Sequence, residues 1–91
     1  MDLDAVRKRI IFHGRVQGVG FRFRARYLAQ SLGLTGWVKN QYDGTVLMEV
    51  QGRSHMIDEL LIGLRKGDYI DIEWIDMEEI STESEFCFHA E

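Results

Sequence analysis

Proline is absent from the 91 residues and cysteine occurs once. Without proline, the chain must make its reversals with its nine glycines. A single thiol, Cys87, rules out an intramolecular disulfide and a multi-cysteine zinc site, which points to a reducing compartment. No stretch approaches membrane-spanning length, and the acidic start Met1-Asp2-Leu3-Asp4 lacks the apolar run of a secretory signal, so a cytoplasmic protein is expected. His13, His55 and His89 fall in different segments with no pairing pattern; they read as structural or surface side chains, and no metal is predicted. There is no internal repeat, low-complexity tract or linker.

What is present suits one domain over residues 1–91: 45% hydrophobic residues are enough to close a single core without staples. The formal charge is −4, unevenly spread. Arg7, Lys8, Arg9, Arg15, Arg22, Arg24 and Arg26 crowd the first third, whereas Glu78, Glu79, Glu83 and Glu85 mark an acidic last quarter that reads as a solvated face. An acidic protein with one local basic site favours small anions over a polyanion, so nucleic acid is not an expected partner.

Hydrophobic periodicity orders the elements. Residues 7–13, ending in Ile10-Ile11-Phe12-His13, read as a strand that stops at Gly14. Phe21, Ala25, Leu28, Ala29 and Leu32 form the stripe of an amphipathic helix that Gly33 ends. Two strands, Thr35–Asn40 and Thr45–Val50, flank Asp43-Gly44, a strong hairpin signal. Ser54 is placed to cap a second helix carrying Ile57, Leu60, Leu61 and Leu64, with Gly67 as its stop. Ile70, Ile72 and Trp74 then alternate with polar residues before the phase slips at Ile75 and Met77, which predicts a bulge or twist in a long strand. Phe86 and Phe88 suggest a short closing strand. The order β-α-β-β-α-β is that of an α+β, ferredoxin-like split βαβ sandwich, with two helices on one face of a four- to five-stranded, mainly antiparallel sheet.

The chemistry concentrates in Gly14-Arg15-Val16-Gln17-Gly18-Val19-Gly20-Phe21-Arg22. A glycine-punctuated loop running into a helix presents backbone N–H groups and the helix's unpaired donors to an anion. Arg22 adds a charged fork that fits two phosphate oxygens. The spacing matches neither the dinucleotide fingerprint nor the nucleoside-triphosphate loop, so a small phosphate is the expected guest. The candidate phosphate-binding residues are Arg15, Val16, Gln17, Gly18, Val19, Gly20, Phe21 and Arg22. Arg15 would assist through its charge, while Arg24 and Arg26 read as solvated surface. Trp37 and Trp74 read as packing residues, Cys87 as an inert thiol, and Asn40, on the residues alone, as either a turn-flanking side chain or a functional amide.

Gly14–Arg22, followed by Leu32-Gly33-Leu34-Thr35-Gly36-Trp37-Val38-Lys39-Asn40 and then Asp43-Gly44-Thr45-Val46, resembles the acylphosphatase family, with the likeness running through residues 14–52. The resemblance implies a metal-free, cofactor-free enzyme that hydrolyses the carboxyl–phosphate bond of acyl phosphates to a carboxylate and inorganic phosphate. It implies that Arg22 binds the phosphate and that Asn40 positions the attacking water. The chain departs from the family pattern in its missing loop prolines and in its ending, Phe86-Cys87-Phe88-His89-Ala90-Glu91, where a C-terminal strand would brace the loop.

Such chemistry needs few groups. The leaving carboxylate has a conjugate-acid pKa of about 4 and departs without a proton. Phosphoryl transfer passes through a loose transition state, so the protein mainly holds oxygens, absorbs charge and aligns a water. Two other classes fit parts of the pattern: a non-catalytic module that senses phosphate or presents carbamoyl phosphate to a larger partner, and an RNA-recognition domain of the same topology. A monomer acting on a small acyl phosphate is the expected state.

Overall fold

The computed structural model describes residues 4–91, so the first three residues of the acidic start lie outside the described residues. The elements are β1 (Ala5–Arg15), α1 (Phe21–Ser31), β2 (Thr35–Asn40), β3 (Val46–Arg53), α2 (Ser54–Arg65), β4 (Asp71–Ile80) and β5 (Phe88–Ala90). They build one sheet in the order β4-β1-β3-β2-β5. The first four strands pair antiparallel, and β5 runs parallel to β2 with Phe88 beside Gly36. This is the ferredoxin-like arrangement that the order of elements implied.

Alternation decides which face the helices cover. Ile10 and Phe12 of β1, Val38 of β2, and Val46, Met48 and Val50 of β3 are buried on one side. There they meet Phe21, Ala25 and Ala29 of α1 and Ile57, Leu60 and Leu64 of α2 in a single core cluster. The stripe read for the first helix is the face it buries. Leu32 closes α1, and Gly33 adopts the left-handed conformation (φ 71°) just beyond, as a helix stop requires.

Three local expectations need correction. First, β1 does not stop at Gly14 but continues to Arg15, because Gly14 and Arg15 still pair with Ile72 and Asp71 of β4. A Cβ on Gly14 would lie 2.2 Å from the Asp71 carbonyl oxygen, so glycine is needed there for close strand approach as well as for its φ of 127°. Second, Ser54 is the first helical residue and makes no cap; the N-cap falls on Arg53, because β3 runs into α2 without a loop. Third, the slip in β4 comes earlier than at Ile75 and Met77: His13 pairs with Trp74 and Gly14 with Ile72, which leaves Glu73 as the bulge and puts Trp74 on the opposite face from Ile72. Gly67 directly follows the Lys66 C-cap, as expected of the helix stop, without a left-handed φ.

The helix-free face carries a feature that periodicity did not reveal. Arg7 has no solvent exposure, and its guanidinium is held by Glu49 (Nε–Oε1 3.0 Å), Glu83 (3.2 Å), Gln51 (3.3 Å) and Glu85. Burial lowers the affinity of this group for its proton, but the three carboxylates outweigh it and the guanidinium stays charged with a raised pKa. Nη2 alone has no partner among the described residues. Glu83 and Glu85 belong to the segment between β4 and β5, which must cross from one sheet edge to the other. Four strand spacings are about 19 Å, and the eight steps from Ile80 to Phe88 reach about 26–29 Å when extended, so the crossing has slack and needs side-chain anchors to fix its path. Glu83 stays solvated as expected while Glu85 is half-buried, and through Arg7 both fasten this crossing to the sheet.

Candidate active site

The backbone between β1 and α1 forms the floor of the site. Val16 is buried and anchors the start of the loop, while Gly18 (φ 71°) and Gly20 (φ 77°) take the left-handed conformation that turns it. Nothing lies within 4 Å of a Cβ built on either glycine, so the dihedral rather than space selects glycine at both. Gly20 is the N-cap of α1 and supplies no side-chain cap, which leaves the first-turn N–H groups free to face a guest. Phe21 is buried against Phe12, with ring centroids 4.9 Å apart, and this contact fixes where the helix begins. Arg22, the next residue, is thereby turned outward and exposed.

Asn40 approaches from the sheet. It ends β2 on the same face as Val38, opposite Val46, where the hairpin leaves the sheet. Gln17 fastens the loop to that hairpin: its side-chain amide donates to the carbonyl oxygens of Gln41 (2.7 Å) and Thr45 (2.9 Å). The turn is braced in itself, since the Asp43 carboxylate accepts from the Thr45 hydroxyl (2.6 Å) and the Thr45 N–H (3.0 Å). These two bonds, the hydroxyl's the larger effect, hold the Asp43 pKa below its usual value.

Arg22 and Asn40 line one pocket of about 320 Å³ together with Val16, Gly18, Gly20, Phe21, Phe23, Arg26 and Ala90. None of these lining residues is acidic, so two guanidinium groups face the cavity without a competing side-chain carboxylate. The last strand closes the rim: the Glu91 N–H donates to the Val38 carbonyl (2.8 Å), and Arg22 Nη1 donates to the Glu91 main-chain oxygen. Among the described residues no group of three or more His, Cys, Asp or Glu side chains is placed to hold a metal ion. His13 instead stacks on Trp74 (4.3 Å between centroids) and pairs with Asp76 (2.7 Å), and His89 contacts Cys87 (3.1 Å).

The sequence candidates separate accordingly. Val16, Gly18, Gly20, Phe21, Arg22 and Asn40 line the one pocket; Gln17 turns its side chain to the hairpin beside it. Arg15, expected within the loop, ends β1 instead and lines a separate depression with Asp68, Tyr69, Asp71 and Glu73. Arg24 and Arg26 are not both plain surface. Arg24 donates to the Gly63 carbonyl in the last turn of α2 (2.9 Å), and Arg26 faces the pocket one helical turn after Arg22. The signal for Arg26 was the four-residue spacing, which puts two helical side chains on one face. No local signal pointed to Ala90, which reaches the pocket only through the pairing of β5 with β2.

Comparison with known proteins gives consistent matches. The profile of the family described as Acylphosphatase matches residues 8–90. The acylphosphatase of Ligilactobacillus salivarius is 39% identical over 74 residues, 79% of this chain and 82% of that one. That of Bordetella avium is 48% identical over 58 residues, covering 64% of this chain and 62% of the other. The crystal structure of the Bacillus subtilis acylphosphatase superposes with a TM-score of 0.87 at 33% identity, covering 93% of this chain and 97% of that one.

Proposed function

The chain belongs to the acylphosphatase family, and from that premise we propose that Arg22, the loop amides and Asn40 perform its hydrolysis of acyl phosphates in one metal-free step. The products are a carboxylate and inorganic phosphate. The observation that carries the assignment of residues is the convergence of Arg22 and Asn40, from different elements, on the pocket floored by Gly18 and Gly20.

The substrate phosphoryl group sits over the loop, its oxygens accepting from N–H groups of Val16–Phe21 and from the α1 N-terminus, with Arg22 bidentate on two of them. In exchange, Arg22 gives up its bond to the Glu91 main-chain oxygen. The Asn40 side chain holds a water on the side of phosphorus opposite the acyl oxygen. Its oxygen attacks as the bond from phosphorus to the acyl oxygen breaks. The electron pair leaves with the carboxylate, and the protons of the water stay with the phosphate. Arg15, outside the pocket, contributes only long-range charge. The same reading treats residues 1–91 as one domain that works as a cytoplasmic monomer on small substrates and does not engage nucleic acid.

The test is phosphate release from benzoyl phosphate with EDTA present. Arg22→Ala should lower kcat/KM by at least ~10²-fold, the cost of removing one preorganised donor from a developing oxyanion. Asn40→Ala should lower kcat by ~10²-fold with little change in KM, because a water-positioning group acts mainly in the transition state. Parent-like turnover by either variant would remove that residue from the mechanism.

A further inference from the structure

Arg26 is unexplained by phosphoryl binding. Helix α1 carries Arg22, Arg24 and Arg26 within its first six residues and no acidic residue at all. Cations at a helix N-terminus oppose the macrodipole, and no acidic side chain in the helix offsets them. Arg24 is accounted for by its bond to the Gly63 carbonyl, and Arg22 by the phosphoryl group. Arg26 is exposed, has no hydrogen-bond or ion-pair partner among the described residues, and lines the same pocket as Arg22. Its Cα lies one turn, about 6 Å, further along the helix. Between them Phe23 stands 78% exposed, an aromatic ring on the pocket wall rather than in the core.

We propose that Arg26 is a specificity-determining residue that selects acyl phosphates whose acyl group carries a second negative charge, a carboxylate or phosphate several bonds from the anhydride. The inference rests on the placement of the phosphoryl group at Arg22 described above. With the attacking water on the Asn40 side, the acyl group extends away from β2 toward the exposed face of α1. Its apolar stem lies against Phe23, and a terminal anion meets the guanidinium of Arg26. A protein of net charge −4 otherwise disfavours an additional negative charge on its substrate, so a local cation without a carboxylate partner is what this substrate class needs.

The experiment compares benzoyl phosphate with 3-carboxybenzoyl phosphate, whose ring geometry prevents its own carboxylate from attacking the anhydride. The unaltered protein should favour the carboxylated substrate by about fivefold in kcat/KM, mainly through KM, the worth of one partly exposed ion pair. That preference should shrink as ionic strength rises. Arg26→Lys should keep most of it, and Arg26→Gln should bring the ratio to one or below. No preference in the unaltered protein, or an Arg26→Gln protein that loses the same factor on both substrates, would overturn the proposal. Failure of the catalytic reading is seen separately, in an Arg22→Ala protein that still cleaves benzoyl phosphate at the parent rate.

Discussion

Burying an arginine among three glutamates is costly unless every charge is matched, and Arg7 shows how the cost is met. Its guanidinium, without solvent exposure, bonds to one carboxylate on the neighbouring strand and two on the crossing segment. Arg7→Met keeps the packing but leaves Glu49 beneath the crossing with its main cation gone. Since Glu83 and Glu85 retain contact with water, the loss should be about 2–4 kcal/mol, at or below the usual range for breaking a buried pair. A urea titration measures it, and an unchanged midpoint would show that the cluster does not fasten the segment. None of this was legible in the sequence, because Arg7 meets Glu49, Glu83 and Glu85 only through the sheet order and the path of the crossing. Arg22 was legible because loop, helix start and guanidinium are contiguous. Arg26 stood at a legible spacing, yet a lone helical arginine looks the same whether it faces water or a cavity.

At the scale of elements, local chemistry was a good guide wherever contacts are short in sequence. The α1 stripe, the hairpin at Asp43-Gly44 and the slipped phase of β4 all arise from neighbours within a few residues, and each has its counterpart in the fold. The misplaced features, the end of β1 at Arg15 and the start of α2 after Arg53, depend on pairing with distant strands. The hairpin turn also carries a pH signature. Because hydrogen bonds from Thr45 depress the Asp43 pKa in the folded state, that carboxylate adds stability above its unfolded pKa, near 4, and the contribution is lost as the pH falls through the lower folded value. Asp43→Asn should therefore flatten the decline in thermal midpoint as the pH falls below about 4. Melts that fall equally steeply for both proteins would show that the turn does not contribute to acid sensitivity.

Over the whole molecule, two distant parts of the chain meet at one pocket. The loop after β1 and the end of β2 are tied by Gln17, while β5 arrives from the opposite sheet edge along a crossing held at Arg7. The arrangement explains how a small domain of net charge −4 presents a cationic cavity free of acidic side chains. On the mechanism proposed above, the labour within that cavity is divided: Arg22 and the loop bind, and Asn40 aligns water. Calorimetric titration of inorganic phosphate into the unaltered protein, Arg22→Ala and Asn40→Ala tests this division most directly. Phosphate should bind the Asn40→Ala protein within about threefold of the parent, as expected where no charged contact is lost, and should bind Arg22→Ala at least about tenfold more weakly. An Arg22→Ala protein that binds phosphate as tightly as the parent would contradict the account.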